Sequence, residues 1–408
     1  MRKLKKALIR IIDWFVVHIP RIPTAIVVAA ARLLPLRSDI LLESKPTFSD
    51  NTDAVYRELL RRGYNRKYRL IWITHVPYDG APLPENVQVL NLSRSRWDNL
   101  VRGRWIIARA KYIIDCNGYV RKTNRRTVRV HLKHGLAIKS VPEYSHMIGD
   151  VDLLVVPNDY WIDKSAKEHL VDPAIVKPLG FPRNDVLLRP KKPHEQTNII
   201  WMPTYRMAPH QAQQFPLEAQ MYAQKMPFGF PCIRSREDLE ELNAMLSANN
   251  AVLYLRLHPA QDTSQIRLDA LSNVRICDDT YLRRTGTQLY TFLTQTDALI
   301  SDYSSIYYDY LLLDKPIALS VADFAEYSRI TGLTIESPEE YKAAFPAVYL
   351  YTFDDLRAFL RQVIAVEDPK QEERNAAREK YMGAQTDHAA ATIVDYLETH
   401  FRLGGADQ

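Results

Sequence analysis

The sequence predicts an α/β protein made of two αβα domains that face each other across a cleft. Two observations lead to this fold class. At 408 residues the chain is too long for one ordinary hydrophobic core. Short apolar runs rich in β-branched residues also alternate with helical patterns along most of the chain. Such runs are typical of parallel strands whose two faces are covered by helices.

The composition excludes several classes of protein. An apolar content of 46% with 25% charged residues is that of a folded globular chain. Cys116, Cys232 and Cys277 lie far apart, which argues against a disulfide framework and against a zinc site. The net charge of +6 arises entirely within residues 1–40. A nucleic-acid-binding surface across the body of the protein is therefore not expected.

The basic segment 1–40 predicts attachment to a membrane surface. Arg21 and Arg32 interrupt the apolar stretches, so a transmembrane helix is not expected, and a signal-peptide cleavage site is not evident. Apolar residues recur at helical spacing behind a cluster of lysines, as in helices that lie in the plane of an anionic membrane. We expect a peripheral protein of the cytoplasmic face of the cell membrane. The alternative is an amphipathic helix docked on the protein's own body.

Residues 41–190 are predicted to form the first αβα domain. A helical pattern at 53–63 and a basic helix near 97–110 accompany its strands. The predicted strands are 69–74, 87–91, 111–116, 128–132 and 152–157. The proline-rich, charged stretch 189–196 is expected to link this domain to the next.

Residues 197–369 are predicted to form the second αβα domain. Its predicted strands are 198–203, 252–259, 273–279, 298–302 and 315–320. Ser235 is a predicted N-cap for the helix that follows it. Residues 370–408 carry a polar helix, from about 370 to 401, that we expect to pack back toward the first domain.

Arginine, histidine, serine and aspartate are concentrated just beyond the predicted strands. The stretches concerned are HGLAIK after 132, GFPRND at 180–185, PTYR at 203–206, RLHP at 256–259 and SDYSSIYYD at 301–309. This set suits an anionic ligand better than a metal ion, which would favour clustered carboxylates. Neither a dinucleotide fingerprint nor a P-loop is present. No metal ion or cofactor is predicted.

The stretch SDYSSIYYD predicts a seat for a phosphate group. Ser304 and Ser305 fall at the start of a predicted helix, where free N–H groups and hydroxyls can bind an anion. Asp309 lies one turn later and could accept hydrogen bonds from ribose hydroxyls. The alternative is a serine N-cap with Asp309 solvated.

The stretch RLHP places two more candidate groups on the predicted strand 252–259. Arg256 and His258 are two residues apart and are expected on the same side of that strand. A histidine bonded to a local carbonyl group is the alternative. Tyr205 and Arg206 offer a stacking ring and a cation, although Arg206 could equally lie on the surface.

In order and combination, these stretches resemble the CDP-glycerol glycerophosphotransferase family, the enzymes of teichoic-acid primer and polymer synthesis. The resemblance runs from about residues 41–59 to 322–327, and GFPRND with ISDYSSIYYDYLLLDKPI is its most specific part. Two departures from the family pattern are Lys133, Leu136 and Ala137 around the His-Gly pair, and the separation of Arg329 from Gly332.

The resemblance implies a GT-B arrangement of two Rossmann-like domains, with residues 41–190 on the acceptor side and residues 197–369 binding the CDP donor. It also implies membrane association and no metal requirement. It also implies transfer of a polyol phosphate from a CDP-activated donor to a hydroxyl of a lipid-linked glycopolymer. The catalytic residues it implies are His134, as general base, and His258. The donor-binding residues expected are Gly135, Arg183, Asn184, Asp185, Thr204, Arg206, Arg256, Ser304, Ser305 and Asp309.

Three other functions stay open at this point. A relative that uses CDP-ribitol would differ only in the polyol of its donor. A glycosyltransferase of the same fold would use a nucleotide-sugar donor. A non-catalytic membrane scaffold would not require histidine and arginine at strand ends. His131, which alternates with its neighbours inside the predicted strand 128–132, is expected to be structural.

Overall fold

The computed structural model describes residues 21–95, 97–136, 138, 148–190, 193–207, 211–214, 217–258, 261, 271–335 and 337–405. The chain divides into two compact units. The first comprises Met1–His134, Pro142–Arg183 and His388–Gln408, and the second comprises Gly135–Val141 and Asn184–Asp387. The boundaries between units therefore fall inside two of the predicted motifs, after His134 and after Arg183.

Each unit contains one parallel sheet, as the sequence predicts. The strands of the first sheet are β1 Arg37–Glu43, β2 Arg69–Thr74, β3 Val87–Asn91, β4 Ala110–Asp115, β5 Val128–His131, β6 Leu153–Val155 and β7 Val176–Lys177. Those of the second are β8 Thr197–Trp201, β9 Ala251–Leu255, β10 Val274–Ile276, β11 Ala298–Ser301, β12 Ile317–Ser320 and β13 Val348–Leu350. The strand orders are β3-β2-β1-β4-β5-β6-β7 and β10-β9-β8-β11-β12-β13. The order thus reverses direction between β1 and β4, and between β8 and β11.

Helices flank both sheets. The helices in chain order are α1 Arg21–Arg32, α2 Asp50–Arg61, α3 Gly103–Arg109, α4 Ile162–His169, α5 Leu217–Gln224, α6 Arg236–Ala248, α7 Asp279–Arg284, α8 Leu289–Leu293, α9 Ile306–Tyr310, α10 Phe324–Thr331, α11 Pro338–Ala344, α12 Phe353–Ile364, α13 Gln371–Met382 and α14 Ala389–Phe401. Helices α1 to α4 and α14 belong to the first unit, and α5 to α13 to the second.

Alternating residues of the strands fill two cores, one on each face of the first sheet. Ile40 and Leu42 of β1 pack in one apolar cluster, while Leu41 between them packs in another on the opposite face. Successive side chains of a strand point to opposite faces, so burial of both requires an uninterrupted apolar run. The same apolar pattern makes β2 to β6 and β8 to β12 recognisable in the sequence. The short edge strands β7 and β13, and β1 itself, were not predicted.

The predicted membrane segment 1–40 is partly a docked piece of the first unit. Val28 and Ala31 of α1 pack against Ala108 and Trp105 of α3. Residues 37–40 open strand β1, an interior strand of its sheet. From residue 21 onward the segment is therefore part of the folded unit. The amphipathic stretch behind the lysines falls within residues 1–20, which lie outside the described part of the chain, so both interpretations of it stay predictions. Among described helices, none combines the length and apolar character needed to span a bilayer.

Two other predicted boundaries differ from the structure. The units divide after Arg183 and not in the stretch 189–196, because the turn Pro182–Leu188 is itself buried and contributes Asn184 and Leu187 to the second unit. The predicted helix from 370 to 401 is two helices. Only α14 belongs to the first unit, where Ile393, Val394 and Leu397 join its core, while α13 belongs to the second.

The predicted N-cap Ser235 is confirmed and offers a test of the fold. Its hydroxyl accepts a hydrogen bond from the Asp238 N–H at 3.2 Å, and the Asp238 carboxylate accepts one from the Ser235 N–H at 3.0 Å. Ser235→Ala should lower the free energy of unfolding by about 1 kcal/mol, because the Asp238 N–H at the start of the helix loses its acceptor. Urea unfolding followed by circular dichroism measures this loss. Ser247→Ala, at an exposed position of the same helix, should be neutral, and equal losses for both would contradict the capping role.

Candidate active site

The predicted site residues lie near the carboxyl ends of strands, where ligands of doubly wound sheets bind. Thr204 and Arg206 follow β8, and Ser304 and Ser305 follow β11, so these four residues flank the point at which the second strand order reverses. In the first unit, His134 follows β5. Each unit therefore presents its own group of polar side chains at the expected edge of its sheet.

His134 lies against a buried carboxylate in the first unit. Its ring Nδ1 is hydrogen-bonded to Oδ2 of Asp50, the first residue of α2. The His134 side chain is 63% exposed and the Asp50 side chain only 6%. The imidazole is thus fixed through one nitrogen while most of the ring faces solvent. This is the arrangement that a general base requires.

Arg183, which the sequence predicts to bind the donor, lies beside His134 in the first unit. Its Nη1 donates to Oδ1 of Asp50 at 2.7 Å and also to the carbonyl oxygen of His134. Burial alone would raise the pKa of Asp50. The charges of Arg183 and His134 and their hydrogen bonds outweigh that effect and hold the pKa of Asp50 well below its usual range. Asp50 is therefore ionised.

His131 is structural, as predicted. It is buried, and its Nδ1 lies 2.5 Å from Oδ1 of Asp115, whose other oxygen accepts from Nε of Arg129 at 2.8 Å. Although burial would raise the pKa of Asp115, the charges of Arg129 and His131 lower it. The three side chains form a buried cluster between β4 and β5, in which Nη2 of Arg129 makes no hydrogen bond within the described structure.

In the second unit, Arg206 is enclosed between two carboxylates. Its Nη1 lies 2.5 Å from Asp302 and its Nε 2.6 Å from Asp323, and the side chain is 1% exposed. Asp302 also accepts from the N–H of Thr204 at 2.9 Å. Arg206 therefore ties together the segments that follow β8, β11 and β12. The alternative of a surface position for Arg206 is wrong. Contact with the donor stays a prediction, and in this structure the guanidinium is already paired with two carboxylates.

Asp309 is also held inside the second unit. It is 1% exposed and accepts hydrogen bonds from Nδ2 of Asn184 at 2.8 Å and from the hydroxyl of Tyr290 at 2.7 Å. The alternative of a solvated Asp309 side chain is therefore wrong. Its contact with ribose hydroxyls stays a prediction, and both carboxylate oxygens already accept hydrogen bonds inside the unit. Asn184 is fully buried with it, and the adjacent Asp185 is buried as well. Asn184, Asp185 and Asp309 support the site from within.

Ser304 and Ser305 remain candidate ligand-binding groups. Both are half-buried ahead of the short helix α9, and the Ser305 hydroxyl caps none of its N–H groups. Gly135, which belongs to the second unit, lies directly against Ser305: a Cβ atom at Gly135 would meet the Ser305 Oγ at 2.5 Å. Only glycine fits this close approach without displacing the hydroxyl.

The strand predicted at 252–259 is shorter than expected. Strand β9 ends at Leu255, so Arg256 and His258 lie in the segment beyond it and do not share a strand face. Arg256 is 2.5 Å from Asp279 and donates to the carbonyl of Cys277 at 3.0 Å. His258 is exposed, with its ring centroid 5.4 Å from that of Tyr205. His258 is thus placed to meet a ligand, whereas Arg256 is engaged by a neighbouring carboxylate.

Four residues of these groups were not predicted: Asp50, Asn51, Asp302 and Asp323. Asn51 is fully buried and donates from Nδ2 to the carbonyl oxygens of Leu132, at 3.2 Å, and Lys133, at 2.9 Å. Asp302 stood inside a predicted motif and Asp50 inside the stretch 41–59, but one aspartate in a polar loop carries little signal by itself.

Within the described residues, no three His, Cys, Asp or Glu side chains are grouped so as to hold a metal ion.

Comparison with known proteins gives a consistent picture. The sequence pattern of the family described as CDP-Glycerol:Poly(glycerophosphate) glycerophosphotransferase matches residues 26–399. The teichoic acid ribitol-phosphate polymerase TarL of Staphylococcus aureus (strain NCTC 8325 / PS 47) is 23% identical over 77% of this chain and 54% of TarL. The teichoic acid glycerol-phosphate primase of Bacillus spizizenii (strain ATCC 23059 / NRRL B-14472 / W23) is 29% identical over 37% of this chain and 32% of the primase. The chain thus spans about half or less of these relatives.

Among solved structures, a histidine-to-alanine variant of the wall teichoic acid polymerase TagF superposes with a TM-score of 0.74 at 17% identity, covering 99% of this chain and 98% of that one. At this identity the likeness establishes the fold alone, a GT-B-like fold of two parallel-sheet α/β domains.

The internal role of Asp309 leads to a stability prediction. Asp309→Ala leaves the buried amide of Asn184 without its acceptor, and an unsatisfied buried donor costs about 1–3 kcal/mol. The urea midpoint of unfolding should fall accordingly. Asp354→Ala, at an exposed aspartate of α12, serves as the control and should change the midpoint little. Wild-type stability for Asp309→Ala would return this residue to the candidate ligand contacts.

Proposed function

Since the chain belongs to the CDP-glycerol:poly(glycerophosphate) glycerophosphotransferase family, we propose that it transfers glycerol phosphate from CDP-glycerol to a hydroxyl of a lipid-linked teichoic-acid-type polymer. The observation that carries the chemical part of this proposal is the exposed His134 imidazole, fixed through Nδ1 by the buried Asp50. CDP-ribitol is the second candidate donor, because the relative with the broader coverage is named a ribitol-phosphate polymerase.

His134 acts as the general base in this reaction. With Nδ1 bound to Asp50, Nε2 accepts the proton of the acceptor hydroxyl as its oxygen attacks the β-phosphorus of the donor. A bond forms between that oxygen and phosphorus. The bond from the β-phosphorus to the bridging oxygen breaks, and CMP leaves with the electron pair. Proton removal by a positioned base contributes typically about 10²–10⁴ in rate.

The donor's phosphates are proposed to meet the second unit at Ser304, Ser305 and His258. Hydroxyl and imidazole donors can stabilise the charge that develops on phosphoryl oxygens and on the departing CMP. Gly135 supports this role by leaving room for the Ser305 hydroxyl. Arg206 acts indirectly, because its pairs with Asp302 and Asp323 fix the segments that carry Thr204 and Ser304.

Membrane attachment through the basic N-terminal segment remains part of the proposal, on the cytoplasmic face where we expect the donor. Of the eight basic residues in 1–40, five lie before residue 21. Near the described end of this segment, Ile26 is 64% exposed and Leu33 87% exposed, although α1 packs its other face on α3. An exposed apolar face beside a cationic segment suits an anionic lipid surface.

The function is tested by following nucleotide release from several donors. We expect release of CMP from CDP-glycerol or CDP-ribitol in the presence of a lipid-linked acceptor. We expect no release of UDP or UMP from UDP-sugars under the same conditions. His134→Ala should lower the rate by at least about 100-fold while donor affinity stays within about twofold, because the base acts only in the transition state. His400→Ala removes an exposed histidine at the end of α14 and should retain full activity. Wild-type turnover by His134→Ala would remove His134 from the mechanism.

Membrane attachment is tested with a truncation that removes no helix or strand of the described structure. Removing residues 1–20 spares α1 and β1, and the shortened protein should lose cosedimentation with vesicles that contain anionic lipid. Replacing Lys3, Lys5 and Lys6 together by glutamate should have the same effect at full length. Neutral phosphatidylcholine vesicles provide the control. Undiminished binding of both variants to anionic vesicles would contradict attachment through this segment.

A further inference from the structure

We propose that Asp50 is a positioning residue that fixes His134 in the tautomer with its proton on Nδ1, and that Arg183 and Asn51 set the orientation of the Asp50 carboxylate. This inference rests on the proposed function, in which His134 must accept a proton through Nε2. A neutral imidazole can do so only when its proton resides on Nδ1. The group facing Nδ1 therefore decides whether His134 can act as a base.

The two oxygens of Asp50 have different surroundings. Oδ1 accepts hydrogen bonds from Nη1 of Arg183 and from the Asn51 N–H, each at 2.7 Å. Oδ2 faces Nδ1 of His134. Because both donors converge on Oδ1, rotation of the carboxylate is opposed, and Oδ2 is kept as an acceptor toward the imidazole.

The backbone holds this arrangement in place. Asp50 has φ of 62° and Lys133, which precedes His134, has φ of 54°. This left-handed region is unfavourable for side-chain-bearing residues and is tolerated best by Asn and Asp. Asn51 binds the carbonyl oxygens of Leu132 and Lys133, and its Oδ1 accepts from the Arg183 N–H at 3.1 Å. Asn51 thus joins the three segments that carry Asp50, His134 and Arg183.

This geometry makes an unusual prediction for Asp50→Asn. The amide oxygen should occupy the Oδ1 position, since Arg183 and the Asn51 N–H both donate there. The amide NH₂ then faces His134 and donates to Nδ1, which forces the imidazole proton onto Nε2. An isosteric substitution should therefore block the base more completely than removal of the side chain does.

The experiment compares three variants in single-turnover transfer from CDP-glycerol. Asp50→Asn should lose about 10³–10⁴ in rate, the scale seen when an aspartate that orients a catalytic histidine becomes asparagine. Asp50→Gly, which suits the positive φ and leaves Nδ1 free to keep its proton, should lose only about 10²-fold. Asp53→Asn changes a buried aspartate in the same turn of α2, where it pairs with Arg57 at 2.7 Å, and should retain wild-type rate. A purely structural role would give the reverse order, with Asn near wild type and Gly worst.

A second measurement does not depend on activity or on any variant of Asp50 folding. Nitrogen NMR of histidine-labelled protein, with the His134 signals assigned by their loss in His134→Ala, reports which ring nitrogen carries the proton. We expect protonated Nδ1 in the wild type and protonated Nε2 in Asp50→Asn. A wild-type His134 with its proton on Nε2 would overturn the inference. If no CDP-polyol donor is used by the wild type, the proposed function fails while the tautomer result still decides the role of Asp50.

Discussion

Burying a carboxylate costs several kcal/mol unless a cation and hydrogen bonds compensate for the lost water. This constraint organises the polar side chains around His134 in the first unit and those around Arg206 in the second. Asp50 is paired with Arg183 and His134, and Asp115 with Arg129 and His131. In the second unit, one arginine serves two carboxylates, Asp302 and Asp323. Loss of one partner would leave an uncompensated charge in the interior, so these pairs fix the segments that follow the strands.

Pairing also determines which groups are left for a ligand. Arg183, Arg206 and Arg256 resembled phosphate-binding cations in the sequence, but each is engaged by an aspartate. Of the predicted site residues, His134 and His258 present exposed imidazoles, and Ser304 and Ser305 present half-buried hydroxyls. Transfer would then rely on positioned hydrogen-bond donors and on one oriented base. The buried ion pairs contribute by keeping those donors and that base in place.

Glu43 shows how the same constraint is met without a cation at hydrogen-bonding distance. It ends β1 beside Asp115, and burial together with the Asp115 charge raises the pKa of Glu43 to about 8. Its Oε2 makes no hydrogen bond within the described structure. At neutral pH this carboxyl therefore keeps its proton, which avoids a second negative charge next to Asp115. The point where the first strand order reverses thus carries one ionised and one neutral carboxyl group.

The sequence by itself determined the fold class and most of the strands, because a strand buried on both faces needs an apolar run that is visible locally. It also determined that His134, Ser304 and Ser305 fall at strand ends, since order along the chain is enough to show this. Only the tertiary structure decided which side chains those residues meet. Asp50 and His134 lie 84 positions apart, and Asn184 and Asp309 lie 125 apart. Whether an arginine faces a ligand or a buried aspartate depends on such distant pairings, and a local pattern carries no record of them.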